Sequence, residues 1–411
     1  MYAKLLADKK IILKTIFVLF IVNIGNAVSL VTQILLSKNL DINDFGFFYS
    51  SVALITLCIS PILSQNLLIQ ENISNLDNNN SFKKFYVNRL YKFFFFFLIV
   101  YFIFYLIFFE KIQLYLGNDN ETVYYKLFTV LIFTILSLVP SSFLVSQKKY
   151  TIPSKIFTIL DFLRLIILLL YFYYFKGNKI EIIINIQLIF VALIFFSNHL
   201  FMAKSLNVEP KKITNNKNSF SKNYKIVAYS MIFPVILQID IVIVTYLFDS
   251  INTSQYIVVS TISKIIYFFF GSIYPIIFNE FLEKIGQVKI GLVIFYIISI
   301  ILGGLCIVFG GKYFIILTYD EIFHSGIKLI YFIAPAMILL SITNILCSYL
   351  ISIKYYEFIK FYILTIIIFT VISLQYASSL LNFVIFFLAM CLVLYLIASI
   401  YLIKKNVKKN F

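Results

Sequence analysis

Long apolar runs separated by short polar segments make up most of the chain. Each run has roughly the 20 residues that an α-helix needs to cross the hydrocarbon core of a bilayer. Backbone groups in lipid must hydrogen-bond within their own segment, so runs of this length predict membrane-spanning helices. Twelve spans are predicted, at residues 11–37, 46–70, 84–109, 122–146, 151–175, 181–203, 226–248, 253–279, 287–310, 327–352, 359–377 and 380–403.

The most polar segment of the chain divides this pattern into two sets of six spans. Residues 204–225 hold Pro210, several asparagines and six lysines. We interpret this segment as a cytoplasmic linker. It would join an N-terminal lobe at residues 1–210 to a C-terminal lobe at residues 226–411.

The second and eighth spans begin with related sequences. Asp41-Ile-Asn-Asp-Phe-Gly-Phe-Phe opens one and Asp249-Ser-Ile-Asn-Thr-Ser-Gln-Tyr opens the other. Asp41 then corresponds to Asp249, and Phe48 to Tyr256. This correspondence favours an internal duplication, which many transporters carry. Because both halves would start in the cytoplasm, the repeat is predicted to be parallel.

Composition narrows the class of protein. Of 411 residues, 62% are apolar and 13% are charged, whereas soluble proteins have about 25% charged residues. A soluble globular domain, a disordered chain and a coiled coil are therefore excluded. The sequence predicts an all-α polytopic membrane protein.

The net charge of +16 comes from 34 Lys and Arg against 18 Asp and Glu. Most basic residues fall in the termini and in loops on one side of the predicted topology. Cytoplasmic loops collect Lys and Arg, so both termini are predicted to be cytoplasmic. No basic patch is interleaved with aromatic residues in a polar domain, so no nucleic-acid partner is expected. The opposite loops hold Lys38, Lys111, Lys126, Lys176, Lys179, Lys312 and Lys328.

Catalytic and metal-binding motifs are absent from the sequence. The four cysteines lie inside apolar runs without CxxC or CxH spacing, so neither disulfides nor a metal site is predicted. No GxSxG, P-loop or HExxH motif occurs. We therefore expect a protein that is not an enzyme and needs no cofactor. The cysteines are Cys58, Cys306, Cys347 and Cys391.

Four ionisable residues lie inside predicted spans and are the candidate site residues. Such groups cost several kcal/mol unless they face protein or water, so each is a functional candidate. Arg164 and Lys264 are both predicted near the middle of the bilayer, one from each half. If both faced a central cavity, that cavity would suit an anionic substrate such as a pyrophosphate. Alternatively, Asp161 and Asp240 neutralise them in structural ion pairs.

Particular residues resemble a known family. The segment Leu35-Leu-Ser-Lys-Asn-Leu-Asp-Ile-Asn-Asp-Phe-Gly-Phe-Phe resembles the first-loop signature of bacterial polysaccharide exporters. That signature ends in an acidic residue followed by Phe-Gly-x-Tyr, and here Phe48 takes the place of the tyrosine. Ser37 or Lys38 stands where a small residue followed by arginine is usual.

The second half adds three matches of the same kind. Gln238-Ile-Asp240 resembles the family's Ile-Asp position, and Tyr274-Pro275 resembles its aromatic-proline position. Ser254-Gln-Tyr256 stands where Gly-x-Tyr is common. On these residues and the topology, the chain resembles an O-antigen flippase of the Wzx type. That family belongs to the multidrug/oligosaccharidyl-lipid/polysaccharide (MOP) exporter superfamily.

The resemblance implies two six-helix lobes arranged in a MATE-like V around a central, often cationic cavity. It implies translocation of undecaprenyl-pyrophosphate-linked repeat units from the cytoplasmic to the periplasmic leaflet of the bacterial inner membrane. Alternating access and ion coupling, by H⁺ or Na⁺, are expected. The polymerase and the chain-length regulator of the same pathway are expected as partners, besides the lipid-linked oligosaccharide and the bilayer.

Three other functions remain open on the sequence. A multidrug/cation antiporter of the same superfamily would need an acidic cavity, which the two intramembrane cations weaken. An O-antigen polymerase usually has a large periplasmic loop, and no outward loop of that size is predicted. A membrane scaffold without transport activity is opposed only by the intramembrane charges. The sequence leaves the sugars of the cargo, the coupling ion and the oligomeric state open.

Overall fold

The computed structural model describes residues 2–65, 69, 72–73, 80–118, 120–147, 149, 151–175, 180–206, 224–271 and 290–409. The predicted all-α fold class is confirmed, since the described residues contain helices and no strand. The α-helices are α1 (Tyr2–Asn39), α2 (Ile42–Leu63), α3 (Asn80–Leu116), α4 (Glu121–Ser146), α5 (Thr151–Tyr174), α6 (Ile180–Leu206), α7 (Tyr224–Leu247), α8 (Ser250–Gly271), α9 (Ile290–Thr318), α10 (Ile330–Ser352), α11 (Phe358–Tyr376) and α12 (Leu380–Lys409). A 3₁₀ helix, Glu321–Leu329, leads directly into α10.

Eleven of the described helices are long and apolar enough to cross a membrane, against the twelve predicted spans. Helix α8, which overlaps the predicted eighth span at 253–279, is not among the eleven. It carries Ser, Thr, Asn and Gln side chains together with Lys264, and residues 253–260 are all buried. The polar groups of residues 253–260 and Lys264 therefore face protein and not lipid.

Several helices extend past the limits that hydropathy predicts. The predicted third span, 84–109, lies within the longer helix α3. Helix α2 begins at Ile42, before the predicted residue 46. Hydropathy marks the segment that fits in hydrocarbon, whereas the hydrogen-bonded helix continues into the interfacial region. Most of the predicted linker and Tyr274-Pro275 lie outside the described residues.

The chain divides into two compact units. The first unit consists of residues 1–15, 33–53 and 232–411, and the second of residues 16–32 and 54–231. Helices α1 and α2 thus contribute residues to both units. The predicted lobes, 1–210 and 226–411, stay a prediction.

In the second unit, α4 packs along α6, α5 packs against α6, and α3 packs against α4. Its apolar core joins α2, α3 and α4 through buried side chains that include Ile59, Phe94, Ile135 and Phe143. The other face of α3 is exposed and strongly apolar, with Phe95 and similar residues on it. Such a face suits contact with lipid tails, because lipid accepts apolar side chains that water would not.

In the first unit, α10 packs against α8, α9 and α12, and α11 packs against α12. The 3₁₀ helix packs on α8, where Gln255 Nε2 donates to the carbonyl of Ile322 at 2.8 Å. Its Phe323 also meets Phe45 of α2 edge to face, with ring centroids 5.6 Å apart. The start of α2 is therefore held against α8 and the segment that precedes α10.

Candidate functional site

Arg164 and Asp161 form an ion pair in the middle of α5. The Arg164 Nη2 to Asp161 Oδ1 distance is 3.0 Å, and their side chains are 16% and 5% exposed. The spacing of three residues places both on one face of the helix, as the sequence allowed. The second carboxylate oxygen of Asp161 accepts a hydrogen bond from Ser29 of α1 at 3.3 Å.

Arg164 also connects α5 to α6. Its Nη1 donates to Oε1 of Gln187 at 2.8 Å. The Nε is buried, and among the described residues it has no hydrogen-bond partner. An arginine offers five N–H donors in a planar fork. The group thus keeps donor capacity that its protein neighbours leave unused.

Neighbouring residues of α5 fix this pair in place. Thr158, one turn before Asp161, donates to the carbonyl of Ile21 on α1 at 3.0 Å. A Cβ at Gly25 would lie 3.2 Å from the Thr158 hydroxyl, so a glycine there allows the two helices to approach closely. Helix α1 therefore supports α5 along the face that carries Asp161.

Lys264 and Asp240 form the second ion pair, between α8 and α7 in the first unit. Lys264 Nζ lies 2.8 Å from Asp240 Oδ2 and 2.9 Å from Oδ1. It also donates to the carbonyl oxygen of Leu237 at 2.6 Å. The side chains are 4% and 0% exposed. Both charges are thus removed from solvent and lipid, and each is balanced by the other.

Two hydroxyl groups of α8 complete the surroundings of Asp240. Tyr256 and Ser260 donate to Asp240 Oδ2 at 2.8 and 3.1 Å. Tyr256 is itself fully buried, and its ring meets Phe383 of α12 with centroids 5.7 Å apart. The spacing of four residues places Tyr256, Ser260 and Lys264 on one face of α8. One helix face therefore supplies every side chain that the carboxylate contacts in these hydrogen bonds.

A line of close contacts joins α1 and α2 to α7 and α8 within the first unit. A Cβ at Gly46 would lie 2.7 Å from Ser254 Oγ, which donates to the carbonyl of Ile42 at 2.8 Å. Ser50 and Thr245 have hydroxyl oxygens 2.7 Å apart. This line, which we call the α2–α8 seam, brings the start of α2 onto the start of α8.

Gln33 of α1 extends the α2–α8 seam. Its Nε2 donates to Thr261 Oγ1 of α8 at 3.0 Å. Its Oε1 is buried and has no partner among the described residues. Asp249 ends the seam at the helix start, where its carboxylate accepts the Asn252 N–H at 2.8 Å.

The structure places the four predicted site residues in two separate pairs, Arg164 with Asp161 and Lys264 with Asp240. Their predicted contact with a substrate stays a prediction. Sequence reasoning missed the side chains that complete each pair. The four-residue repeat of Tyr256, Ser260 and Lys264 is the one sequence signal that could have found some of them. The missed residues are Ser29, Gln187, Tyr256 and Ser260.

In the described part of the chain, no group of three or more His, Cys, Asp or Glu side chains could hold a metal ion. Of the four free cysteines, Cys347 and Cys391 are buried and Cys306 is exposed.

No family model and no curated protein matches the sequence. Solved structures do match. The lipid II flippase MurJ, in its inward closed conformation, aligns with a TM-score of 0.65 and 13% identity over 94% of this chain and 87% of that chain. The chain has the fold of MurJ and of the MATE transporters.

Two further structures share this fold. A eukaryotic MATE transporter aligns with a TM-score of 0.63 and 12% identity, over 95% of both chains. A MOP superfamily transporter from Pyrococcus furiosus, described as having a binding pocket of reverse polarity, aligns with a TM-score of 0.60 and 12% identity, over 94% of both chains. At these identities the likeness shows the fold alone.

Proposed function

We propose that this protein flips undecaprenyl-pyrophosphate-linked O-antigen or polysaccharide repeat units from the cytoplasmic to the periplasmic leaflet of a bacterial inner membrane. The observation that carries the proposal is the Arg164 guanidinium, held in mid-helix with a buried, unpartnered Nε among the described residues. The shared fold with a lipid II flippase supports the same class of cargo.

Arg164 suits the charged end of such a cargo. A guanidinium fork matches the spacing of phosphate oxygens and stays protonated in apolar surroundings. Its present partners, Asp161 and Gln187, each occupy one terminal nitrogen. A pyrophosphate would draw the guanidinium toward itself and supply the acceptor that Nε lacks. In the absence of cargo, Asp161 would act as the counter-charge of Arg164 and Gln187 as its hydrogen-bond partner.

Lys264 is the other residue that the sequence predicts for cargo contact. Its three N–H groups are occupied by Asp240 and Leu237. The proposal therefore assigns the cargo contact to Arg164. We propose that ion coupling runs through Asp161, because the Asp240 carboxylate already accepts from Lys264, Tyr256 and Ser260.

We propose the α2–α8 seam as the closure that alternating access requires. By the predicted topology it lies on the periplasmic side, where α1 ends and α2 begins. Its contacts are one tight glycine approach and a few hydrogen bonds between neutral side chains, such as Ser50 with Thr245. Contacts of this kind contribute about 0.5–1.5 kcal/mol each, so a bound cargo can offset their loss. We propose that the seam opens to release the cargo.

The deciding experiment follows lipid-linked repeat units in a strain deleted for this gene. Single units that accumulate on the cytoplasmic leaflet would support a flippase. Single units that reach the periplasm unpolymerised would instead indicate the polymerase, and unchanged glycan would exclude both the flippase and the polymerase.

Complementation with Arg164→Ala should fail while the protein remains inserted in the membrane. Lys126→Ala is the matched control, since Lys126 is a cation in the partly exposed pair with Glu181.

A multidrug/cation antiporter is the second candidate. The full-length match favours it, because the chain and the eukaryotic MATE transporter each align over 95% of their length, whereas the match covers 87% of MurJ. Expression in a drug-sensitive strain separates the two proposals. Increased ethidium efflux with unchanged lipid-linked glycan would favour the antiporter.

A further inference from the structure

The surroundings of the Lys264 ammonium resemble an ion-binding cage more than a substrate contact. Three oxygens lie within 2.6–2.9 Å of Nζ, namely the Leu237 carbonyl and both carboxylate oxygens of Asp240. An ammonium has three N–H donors, so none is left for another ligand. The Tyr256 and Ser260 hydroxyls enclose the carboxylate from the α8 side.

The oxygens around Nζ are of the kinds that hard cations take as ligands. A carboxylate and a backbone carbonyl bind such ions directly. The site carries one negative charge, and Asp240 is fully buried. A buried carboxylate without a cation would be costly, so the cage requires one positive charge.

We propose that Lys264 is a tethered monovalent cation, which occupies a cation-binding cage built by α7 and α8 and thereby keeps ions from solution out of it. The cage would accept a free ammonium or a small alkali ion once the lysine side chain is removed. Truncation to alanine removes the Nζ and its aliphatic stem, while the α7 oxygens and the α8 hydroxyls remain. The inference concerns the first unit alone and does not rest on the proposed function.

The test measures thermal unfolding of the purified full-length protein at constant ionic strength. Choline chloride, whose cation is too large for the cage, is replaced stepwise by ammonium, sodium or potassium chloride. The midpoint of Lys264→Ala should be low in choline and should rise by several degrees, saturably, with ammonium. A ligand that binds only the folded state has this effect. The wild-type midpoint should not respond.

Two variants serve as matched controls. Lys264→Ala/Asp240→Asn lacks the negative charge of the cage, so its midpoint should not respond to any of the cations. Lys126→Ala removes a lysine from the partly exposed pair with Glu181 and should show no saturable response.

Three results would overturn the proposal. The first is an equal midpoint for Lys264→Ala in choline and in all three small cations. The second is a saturable cation response of the wild-type protein, which would mean that the cage takes an ion despite Lys264. The third is failure of Lys264→Ala to accumulate in membranes with ammonium present throughout, while the neutral pair Lys264→Met/Asp240→Asn accumulates.

Discussion

The Cβ position of Gly46 on α2 lies 2.7 Å from Ser254 Oγ on α8. No side chain larger than hydrogen fits there unless Ser254 moves, and Ser254 is held by its bond to the Ile42 carbonyl. Glycine at this position is therefore a requirement of close helix packing. In the family signature that the sequence resembles, the same glycine stands after the acidic residue and phenylalanine. Its physical role in this chain is to let the α2–α8 seam close.

Gly46→Ala should destabilise the protein by about 1–3 kcal/mol, the usual cost of overpacking a close contact. Ser254→Ala removes the clashing oxygen, so the double variant should regain part of the loss. Gly310→Ala is the matched control, because its added Cβ meets nothing within 4 Å. Unfolding midpoints measure all three. Equal losses for Gly46→Ala and Gly310→Ala would contradict the packing argument.

Ser50 and Thr245 offer a second test of the seam. Cysteines at both positions, in a background without the native cysteines, would place two sulfur atoms where hydroxyl oxygens now lie 2.7 Å apart. An oxidant should cross-link them and stop transport, and a reductant should restore it. Transport that continues in fully cross-linked protein would show that the seam does not open. Each single-cysteine variant controls for the effect of the oxidant.

Breaking the buried pair of Lys264 and Asp240 should destabilise the protein more than breaking the partly exposed pair of Lys126 and Glu181. Asp240→Asn leaves the buried Lys264 without its counter-charge, which typically costs about 3–5 kcal/mol. Glu181→Gln breaks a pair whose side chains are 26% and 42% exposed, and such pairs contribute at most about 1 kcal/mol. Unfolding midpoints of the two variants test this difference. Similar small losses would mean that Asp240 is solvated in the working protein.

Gln187 should act as a positioning residue for Arg164. Gln187→Ala removes the acceptor that holds Nη1 at 2.8 Å. We expect weaker apparent affinity for the lipid-linked cargo, while maximal flipping at saturating cargo changes less. Arg164→Lys keeps the charge but loses the fork, so its flipping should fall further than that of Gln187→Ala. Flipping measured against cargo concentration separates the two effects. An unaltered profile for Gln187→Ala would leave that residue a structural role only.

Hydropathy was enough to predict helices across the described chain, because a lipid-embedded backbone has few alternatives. The pairing of Lys264 with Asp240 was also accessible, since charges inside spans need partners. The polar side chains that complete each pair were not. Ser29 and Asp161 are separated by 132 positions, and no local pattern records which hydroxyl meets which carboxylate. Such contacts depend on how each helix is rotated and packed, which cannot be predicted from the pattern of a single sequence.

The ends of the helices also depend on packing that hydropathy does not reveal. Hydropathy predicted a tenth span at 327–352, but the chain there first forms the 3₁₀ helix and only then α10. Phe323 of the 3₁₀ helix precedes the predicted span, and it packs on Phe45 within the protein. A hydropathy average does not distinguish an apolar side chain that faces lipid from one that packs on protein.

The polarity of α8 has a consequence for how the protein is made. Helix α8 has many buried hydroxyl and amide groups and carries Lys264. Its transfer from the insertion machinery into lipid on its own would therefore be unfavourable. Only Phe248 and Asp249 separate α7 from α8, so the two helices emerge almost together. Asp240 can then neutralise Lys264 before either residue meets the acyl chains. Biogenesis is therefore expected to treat α7 and α8 as one hairpin, whose release depends on a charge pair that forms at the translocon.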